Sequence, residues 1–576
     1  MTEMIRRWGR AAGAAAALVI LLVASARAGV GSPVRRGAVA CAAPAAAATG
    51  AEVLRAGGNA VDAAVATALA LAVVHPQAGN LGGGGFAVVR TGAEVAALDF
   101  REVAPAAATR DMYLGADGKP VPERSLIGAL AAGVPGSPAG LFELHRRFGR
   151  LPWRRVVAPA AALAREGFIV TERLHEEIAE EQTRLASFAA TAAVWLPGGA
   201  PPAAGTRVKL PRLAATLAAY AERGPAAITS GRRARAIETA VRELGGIVTA
   251  NDLAAYRPEW RTPIRFSASG WEAASMPLPS AGGIILAESL GMLDRLGWGA
   301  APRAGADRAH LLAEVWRRAY ADRLLLGDPT TATAGATELL APRWIATRAA
   351  SIDRTAASPS RTVEAWSAGR ESGETTHLSV IDGDGNAVAL TTTLNGTFGC
   401  GVLVAEAGFL LNNEMDDFAT APGLPNLYGL IQGEANAVRP GKRMLSSMTP
   451  TIAWRGGEVV ALGSPGGSHI PTTTLQVLLN LAVDGDDLAS AVERPRLHHQ
   501  WQPDRLTHEV GALTAAVAAE LERRGHTLKT TSKLGEVHAV HRLRDGAIVA
   551  VADARGPGAT ATAEEREPAT GDRKPD

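Results

Sequence analysis

The chain has only two cysteines, Cys41 and Cys400, in 576 residues. That is too few for a disulfide framework, and neither stands in a metal-ligand spacing, so each is expected to be a small buried residue. Aromatic residues are sparse, at 5%, and the basic residues are scattered rather than gathered into a stripe among them. With a formal net charge of +2, nothing marks a nucleic-acid partner. The one long apolar run, residues 11–24, is shorter than the roughly 20 residues that a membrane-spanning helix needs. Also missing are a Gly-x-Ser-x-Gly elbow, a His-Glu-x-x-His helix and a phosphate loop ending in Gly-Lys-Ser/Thr, which removes three common enzyme signatures. No internal repeat is evident.

What is present is an ordinary globular composition, 47% apolar and 20% charged, on a chain long enough to bury a large core. The first residues carry an export pattern: Arg6, Arg7 and Arg10, the apolar run, then Ala26-Arg27-Ala28. A signal peptide over residues 1–28 is therefore expected, with the mature protein in the periplasm or the external medium and no stable membrane anchor. A retained anchor is disfavoured by the short run and the Gly-rich sequence after it. A twin-arginine signal is disfavoured by the residues around Arg6-Arg7. Further on, residues 37–42 read as a strand, 49–74 as helix broken at Gly57-Gly58-Asn59, and 86–89 with 96–100 as a hairpin. Helical patterns dominate residues 127–349, and strands return at 376–381, 387–393 and 408–411. Asp382 to Asn386 reads as a hairpin turn rather than a calcium loop, because the downstream carboxylate spacing is missing. Residues 556–576, rich in Pro, Gly, Thr and charge, read as a disordered tail.

The polar residues with chemical potential concentrate late in the chain: Glu374-Thr375-Thr376-His377, Thr391-Thr392-Thr393-Leu394-Asn395, Asn412-Asn413-Glu414-Met415-Asp416-Asp417, Ser446-Ser447 and Gly463-Ser464-Pro465-Gly466-Gly467. Singly, each has a structural explanation, since threonine runs suit strands and Asn or Gly clusters suit turns. His498-His499 would point opposite ways on an extended chain, which favours a structural role over a metal pair. No metal or organic cofactor is implied.

Taken in order, these pieces resemble the γ-glutamyltransferase family of bacterial type. The resemblance also rests on Gly57-Gly58-Asn59-Ala60-Val61-Asp62, the Gly82 to Phe86 run, Asp99-Phe100-Arg101-Glu102, Asp252-Leu253-Ala254-Ala255-Tyr256, Pro279-Ser280-Ala281-Gly282-Gly283, Ala319-Tyr320-Ala321-Asp322-Arg323 and Pro495-Arg496-Leu497-His498-His499. It implies an α+β N-terminal-nucleophile hydrolase fold, a four-layer αββα sandwich with two stacked antiparallel sheets. It implies one precursor that cuts itself between Glu374 and Thr375 into a large subunit, residues 29–374, and a small one, residues 375–576, which stay together as a heterodimer. By the resemblance Thr375 is the nucleophile and Thr393 its hydrogen-bond partner. Arg101, Ser446 and Ser447 clamp a carboxylate; Asn395, Glu414 and Asp417 hold an ammonium; Gly466 and Gly467 face an oxyanion; and Tyr428 belongs to a lid over the donor site.

The chemistry fits those residue types. A threonine hydroxyl is a weak nucleophile until a base stands beside it, and the cut would release an α-amine with a pKa of about 8. For Arg101 an ion pair with Glu102 stays an alternative on sequence alone. Leu278 and Ala281 stand where Pro and Ser are commoner in the family, which leaves substrate preference less fixed than reaction class. The implied activity takes γ-glutamyl groups from glutathione or other γ-glutamyl compounds and passes them to water or to an amino-acid or dipeptide amine. The rivals are a cephalosporin (glutaryl) acylase or a poly-γ-glutamate depolymerase of the same family, and a non-catalytic exported binding protein.

Overall fold

The computed structural model describes residues 29–30, 33–363, 375–421, 426 and 430–564. The expected signal peptide, Glu374, Tyr428 and residues 565–576 lie outside the described residues.

Two seven-stranded sheets form the centre. In spatial order the first runs Ala559–Thr562, Gly37–Cys41, Thr376–Asp382, Ala387–Thr393, Gly84–Thr91, Glu94–Phe100 and Glu259–Arg261. The second runs Gly29–Val30, Ile548–Ala552, His538–Arg542, Glu458–Gly463, Thr451–Arg455, Trp271–Ser275 and Ile264–Ala268. Every neighbouring pair is antiparallel.

The period-2 alternation of the strands explains the layering. Val39, Cys41, Leu378, Val380, Val388 and Leu390 face one way and pack with the helix Ala60–Val74. Ala38, Ala40, Ile381, Ala387 and Ala389 face the other way and meet Ile452, Ala461, Val540 and Ala550 of the second sheet. Small residues dominate that inner layer, so the two sheets can lie close without leaving voids. The outer face of the second sheet, with Ala453, Val460, Leu462, Ala539 and Val551, packs on the helices Gly282–Arg295, Ala306–Asp322 and Ile470–Ala482. The result is the expected αββα sandwich.

Local signals set the element ends. The helix Ala60–Val74 is alanine-rich and buried along its length except at Val74, so packing rather than solvent contact stabilises it. Asn59 starts it: its Oδ1 accepts from the N–H groups of Val61 and Asp62, and the Asp62 carboxylate accepts from the Asn59 N–H. Asn59→Ala is expected to cost about 1 kcal/mol of stability, measured as a lower Tm, with self-cleavage unchanged. The turn after Thr376–Asp382 is the plain hairpin expected, because the Asp382 carboxylate accepts from the backbone of Asp384, Asn386 and Ala60.

Two expectations are corrected. The helical stretch from 127 to 349 is interrupted by a separate two-stranded pair, Phe168–Ile169 with Arg207–Val208, and by Glu259–Arg261, Ile264–Ala268 and Trp271–Ser275, one strand in the first sheet and two in the second. The supposed tail begins later than its composition indicates, because Ala559–Thr562 pairs with Gly37–Cys41 and closes the edge of the first sheet. Its partner strand there is fully buried, so the pairing satisfies backbone groups that water cannot reach.

The topology places residue 375 at the head of a central strand. Thr376 pairs with Thr392 and His377 with Thr391, so the same register carried one residue on sets Thr375 across from Thr393. Strands from both sides of residue 375 interleave in each sheet, and a cut there would divide the chain without dividing the core.

Candidate active site

One small cavity, of about 20 Å³, is lined by Arg101, Arg323, Thr375, Thr393, Glu414, Asp417, Leu430, Ser446, Ser447, Met448, Gly467 and Ile470. It therefore brings together eight residues that the sequence had pointed to from segments hundreds of positions apart, namely Arg101, Thr375, Thr393, Glu414, Asp417, Ser446, Ser447 and Gly467. Asn395 stands two residues beyond Thr393, with its N–H donating to Thr393 Oγ1 at 2.8 Å and its side chain donating to Asn413 O at 3.0 Å. Gly466 precedes Gly467 at the entry to the helix Ile470–Ala482.

Arg101 follows the strand Glu94–Phe100 and is wholly buried. Its backbone is held on both sides: its N–H donates to the Asp99 carboxylate at 3.0 Å, and Tyr256 Oη donates to its carbonyl at 2.8 Å. Its Nη1 pairs with Glu414 and its Nη2 with Asp417, while Glu102 lies 3.8 Å away. The Glu102 pairing considered from sequence is thus the weakest of three, and none is at the surface.

Burial works against charge on each member of this cluster. For Arg101 the attraction of Glu414, Asp417 and Glu102 outweighs burial and keeps it cationic. Burial raises Glu414 and Asp417 above the usual carboxylate range against the pull of Arg101, and raises Glu102 to about 7. Three carboxyl groups crowded around one guanidinium in a dry site hold their protons more tightly than free carboxylates do.

The two acids sit on a scaffold of asparagines. Glu414 and Asp417 lie in one short 3-10 turn. Asn412 Oδ1 accepts from the N–H of Glu414 and of Gly133, and its Nδ2 donates to the carbonyls of Gly82 and Gly133. Asn426 donates to Asp417 Oδ1 at 2.9 Å, and Gln432 and Asn436 donate to the Asp417 carbonyl. Ser446 is braced by the turn at Pro279: its N–H donates to Pro279 O, and Ala281 donates to its carbonyl. The family departure at Ala281 therefore leaves this brace, which is made by backbone, intact.

Gly466 has φ +120° and Gly467 φ +54°, both disfavoured for residues with a Cβ. Space is not the restriction at Gly466, where an added Cβ would come no closer than 3.5 Å to another atom. Backbone conformation is the restriction there. The helix Ile470–Ala482 begins just beyond, with its positive dipole end toward the cavity.

Sequence reasoning missed two residues here. Asn80 donates to Thr393 O and Thr392 Oγ1, and its Oδ1 accepts from Gly83 N and Ser137 Oγ. It thereby ties the end of the strand Ala387–Thr393 to the glycine run. Its only signal was a polar residue two positions before the glycine run that starts at Gly82. Arg323 appeared only as part of a motif.

Elsewhere, Cys41 and Cys400 are buried and unpaired, with burial raising their thiols to about 12 and about 11. His498 bonds to Thr472 and Gln500, and His499 accepts from Trp501 N, the structural roles expected. A separate trio, His310, Glu314 and His526, brings ligand atoms within 4.8 Å, but the Glu314 oxygens already accept from Arg317, Arg318 and Ser358.

Two stacked antiparallel sheets between helices, with a threonine heading a central strand, define an N-terminal-nucleophile hydrolase fold. The chain belongs to the γ-glutamyltranspeptidase family: the family model described as Gamma-glutamyltranspeptidase matches residues 46–563. It is 42% identical over 511 residues to a glutathione hydrolase proenzyme of Escherichia coli K12, covering 88% of each chain. A proenzyme of the same description from Pseudomonas aeruginosa is 42% identical over 518 residues, covering 88% of this chain and 91% of that one. Among solved structures, a cephalosporin acylase from Bacillus halodurans superposes with a TM-score of 0.82 at 26% identity, over 94% of this chain and 98% of the other.

Proposed function

We propose that the protein is a self-processing γ-glutamyltransferase and glutathione hydrolase. Thr375 Oγ attacks the Glu374 carbonyl, the resulting ester is hydrolysed, and the freed Thr375 carries both nucleophile and α-amine base. The Thr375 Oγ then attacks the γ-carbonyl of a donor such as glutathione. The amine leaves with a proton, and the γ-glutamyl ester passes to water or to an amino-acid or dipeptide amine. The single observation that carries this reading is the shared cavity: Thr375, the Arg101–Glu414–Asp417 cluster, Ser446, Ser447 and Gly467 line one space. Thr393, at the end of the neighbouring strand, supports the nucleophile, and Asn395 joins Glu414 and Asp417 in receiving the donor ammonium. Gly466 and Gly467, at a helix N-terminus, suit a developing oxyanion.

The same reading divides the chain into subunits of residues 29–374 and 375–576 that remain a heterodimer, since strands of both interleave in each sheet. Export by a signal peptide over residues 1–28, to the periplasm or external medium, would leave Gly29 opening the edge strand paired at Val551 and Ala552. No helix of the described residues is long and apolar enough to cross a membrane. Tyr428 is proposed as part of a lid; in the sequence it stands two positions before Leu430, which lines the cavity.

Intact-mass measurement, N-terminal sequencing and release of p-nitroaniline from γ-glutamyl-p-nitroanilide, with and without glycylglycine, test this directly. A new terminus at Thr375 with nitroaniline release supports it, and acceleration by glycylglycine shows transfer. A split chain that hydrolyses only glutaryl donors would favour the acylase reading, and an intact inert chain the binding-protein reading.

The buried acids add a pH dependence. Glu414 and Asp417 attract the donor ammonium only when ionised, and their cluster takes up protons at higher pH than free carboxylates do. KM for γ-glutamyl donors is therefore expected to rise on acidification, as Glu414 and Asp417 take up protons above the usual carboxylate range, by up to about tenfold per pH unit for one linked proton. Initial rates against a glutaryl donor, which has no ammonium, should show no such rise.

A further inference from the structure

Arg323 stands in the turn Arg323–Leu325 that ends the helix Ala306–Asp322. It is 2% exposed and lines the same cavity as Thr375, Asp417 and Ser447. Its Nε and Nη1 have no hydrogen-bond partner. A buried guanidinium with open N–H groups is costly unless something completes it. Burial lowers it only to about 10, with Asp417 opposing the shift, so it is charged at neutral pH.

Arg101 is differently placed. Its two terminal nitrogens are engaged by Glu414 and Asp417, and its Nε donates to Met444 O at 3.3 Å. The unpartnered atoms of the cavity are instead those of Arg323, the Ser447 hydroxyl and Glu414 Oε2. Two cationic N–H donors and a hydroxyl on one hand, and a carboxylate oxygen on the other, are the complement of a carboxylate beside an ammonium.

We propose that Arg323 is a second carboxylate-binding residue of the donor site, donating Nε–H and Nη1–H to the α-carboxylate of the γ-glutamyl group beside Ser447, while Arg101 stays shared with Glu414 and Asp417. This rests on the γ-glutamyl reading of the cavity. The added headgroup is a zwitterion and brings no net charge, so two guanidiniums and three carboxyl groups accommodate it without a new buried imbalance.

The test compares Arg323→Gln and Arg323→Lys on two donors: γ-glutamyl-p-nitroanilide, and 4-aminobutyryl-p-nitroanilide, which keeps the amine and the scissile bond but has no carboxylate. Arg323→Gln is expected to raise KM for the first by about 10- to 100-fold, the loss of charge-assisted hydrogen bonds, with kcat changed much less. Arg323→Lys should restore part of that loss. On the 4-aminobutyryl donor, kcat/KM should stay within about twofold of the wild type, since the contact is absent there. Equal losses on both donors would show a merely structural role and overturn the proposal, as would no loss on the first. Self-cleavage at Thr375 reports folding, and if Arg323→Gln fails to split, the comparison is made with Arg323→Lys. A wild-type enzyme inert on γ-glutamyl-p-nitroanilide would defeat the γ-glutamyl reading itself, whereas an active wild type with an unaffected Arg323→Gln defeats only this assignment.

Discussion

Thr375→Ala is expected to yield a single uncleaved chain with activity on γ-glutamyl-p-nitroanilide lowered on the order of 10⁵-fold or more, the scale seen when a covalent nucleophile is removed. Without Oγ no ester forms at residue 375, so the Glu374–Thr375 amide persists. The α-nitrogen then stays locked in that amide and cannot act as a base. One substitution thus removes the nucleophile, the base and the cut together. The fold should survive, because Thr375 contributes one hydroxyl at the head of a strand whose apolar residues, Leu378, Val380 and Ile381, pack unchanged. Electrophoresis under denaturing conditions, circular dichroism and the nitroanilide assay check the three parts. A Thr375→Ala protein that still splits normally would overturn the nucleophile assignment. Thr375→Ser, which keeps the oxygen, should still split and retain activity.

The sequence made the architecture legible where signals were local. The Gly57-Gly58-Asn59 break divided two helices, and the Asp-Gly-Asp-Gly-Asn turn between threonine- and valine-bearing segments marked the central hairpin. The hairpin of Ile264–Ala268 and Trp271–Ser275 was legible in principle, since Ser269-Gly270 with both φ positive, +47° and +80°, is the two-residue turn such hairpins use. It was lost among flanking helical patterns. Pairings such as Gly37–Cys41 with Ala559–Thr562, over 500 residues apart, have no local trace, and a short Ala-Thr alternation beside Pro and Gly looks like tail until its partner is known.

The site was legible as residue types in family order, but its wiring was not. Arg101 and the acids Glu414 and Asp417 were assigned to opposite ends of a substrate, yet in the structure they hold one another. Asn80 and Asn412 carry no chemistry of their own, and their importance arises only from the carbonyls and N–H groups that folding presents to them. Arg323 is distinguished by two guanidinium nitrogens without a hydrogen-bond partner, which only a three-dimensional account of hydrogen bonds can reveal.

Substituting Asp417 with asparagine should separate the γ-glutamyl from the glutaryl reading. The change preserves shape and keeps the hydrogen bond from Asn426 possible, but removes one of the two carboxylates that meet Arg101. A donor with an ammonium loses an ionic partner in a desolvated site, so kcat/KM for γ-glutamyl-p-nitroanilide is expected to fall about 100-fold, the scale of losing one member of a buried charge pair. A glutaryl donor has no ammonium to lose that contact, and its kcat/KM should hold or rise, since Arg101 becomes freer to bind a carboxylate. The ratio of the two specificity constants therefore reads the role of Asp417 independently of how much active protein is present. An equal fall on both donors would mean that Asp417 serves to position Arg101 rather than to receive the ammonium. The carboxylate-lined pocket would then be an internal brace, and the preference for γ-glutamyl over glutaryl groups would have to rest on Glu414 and Asn395 instead.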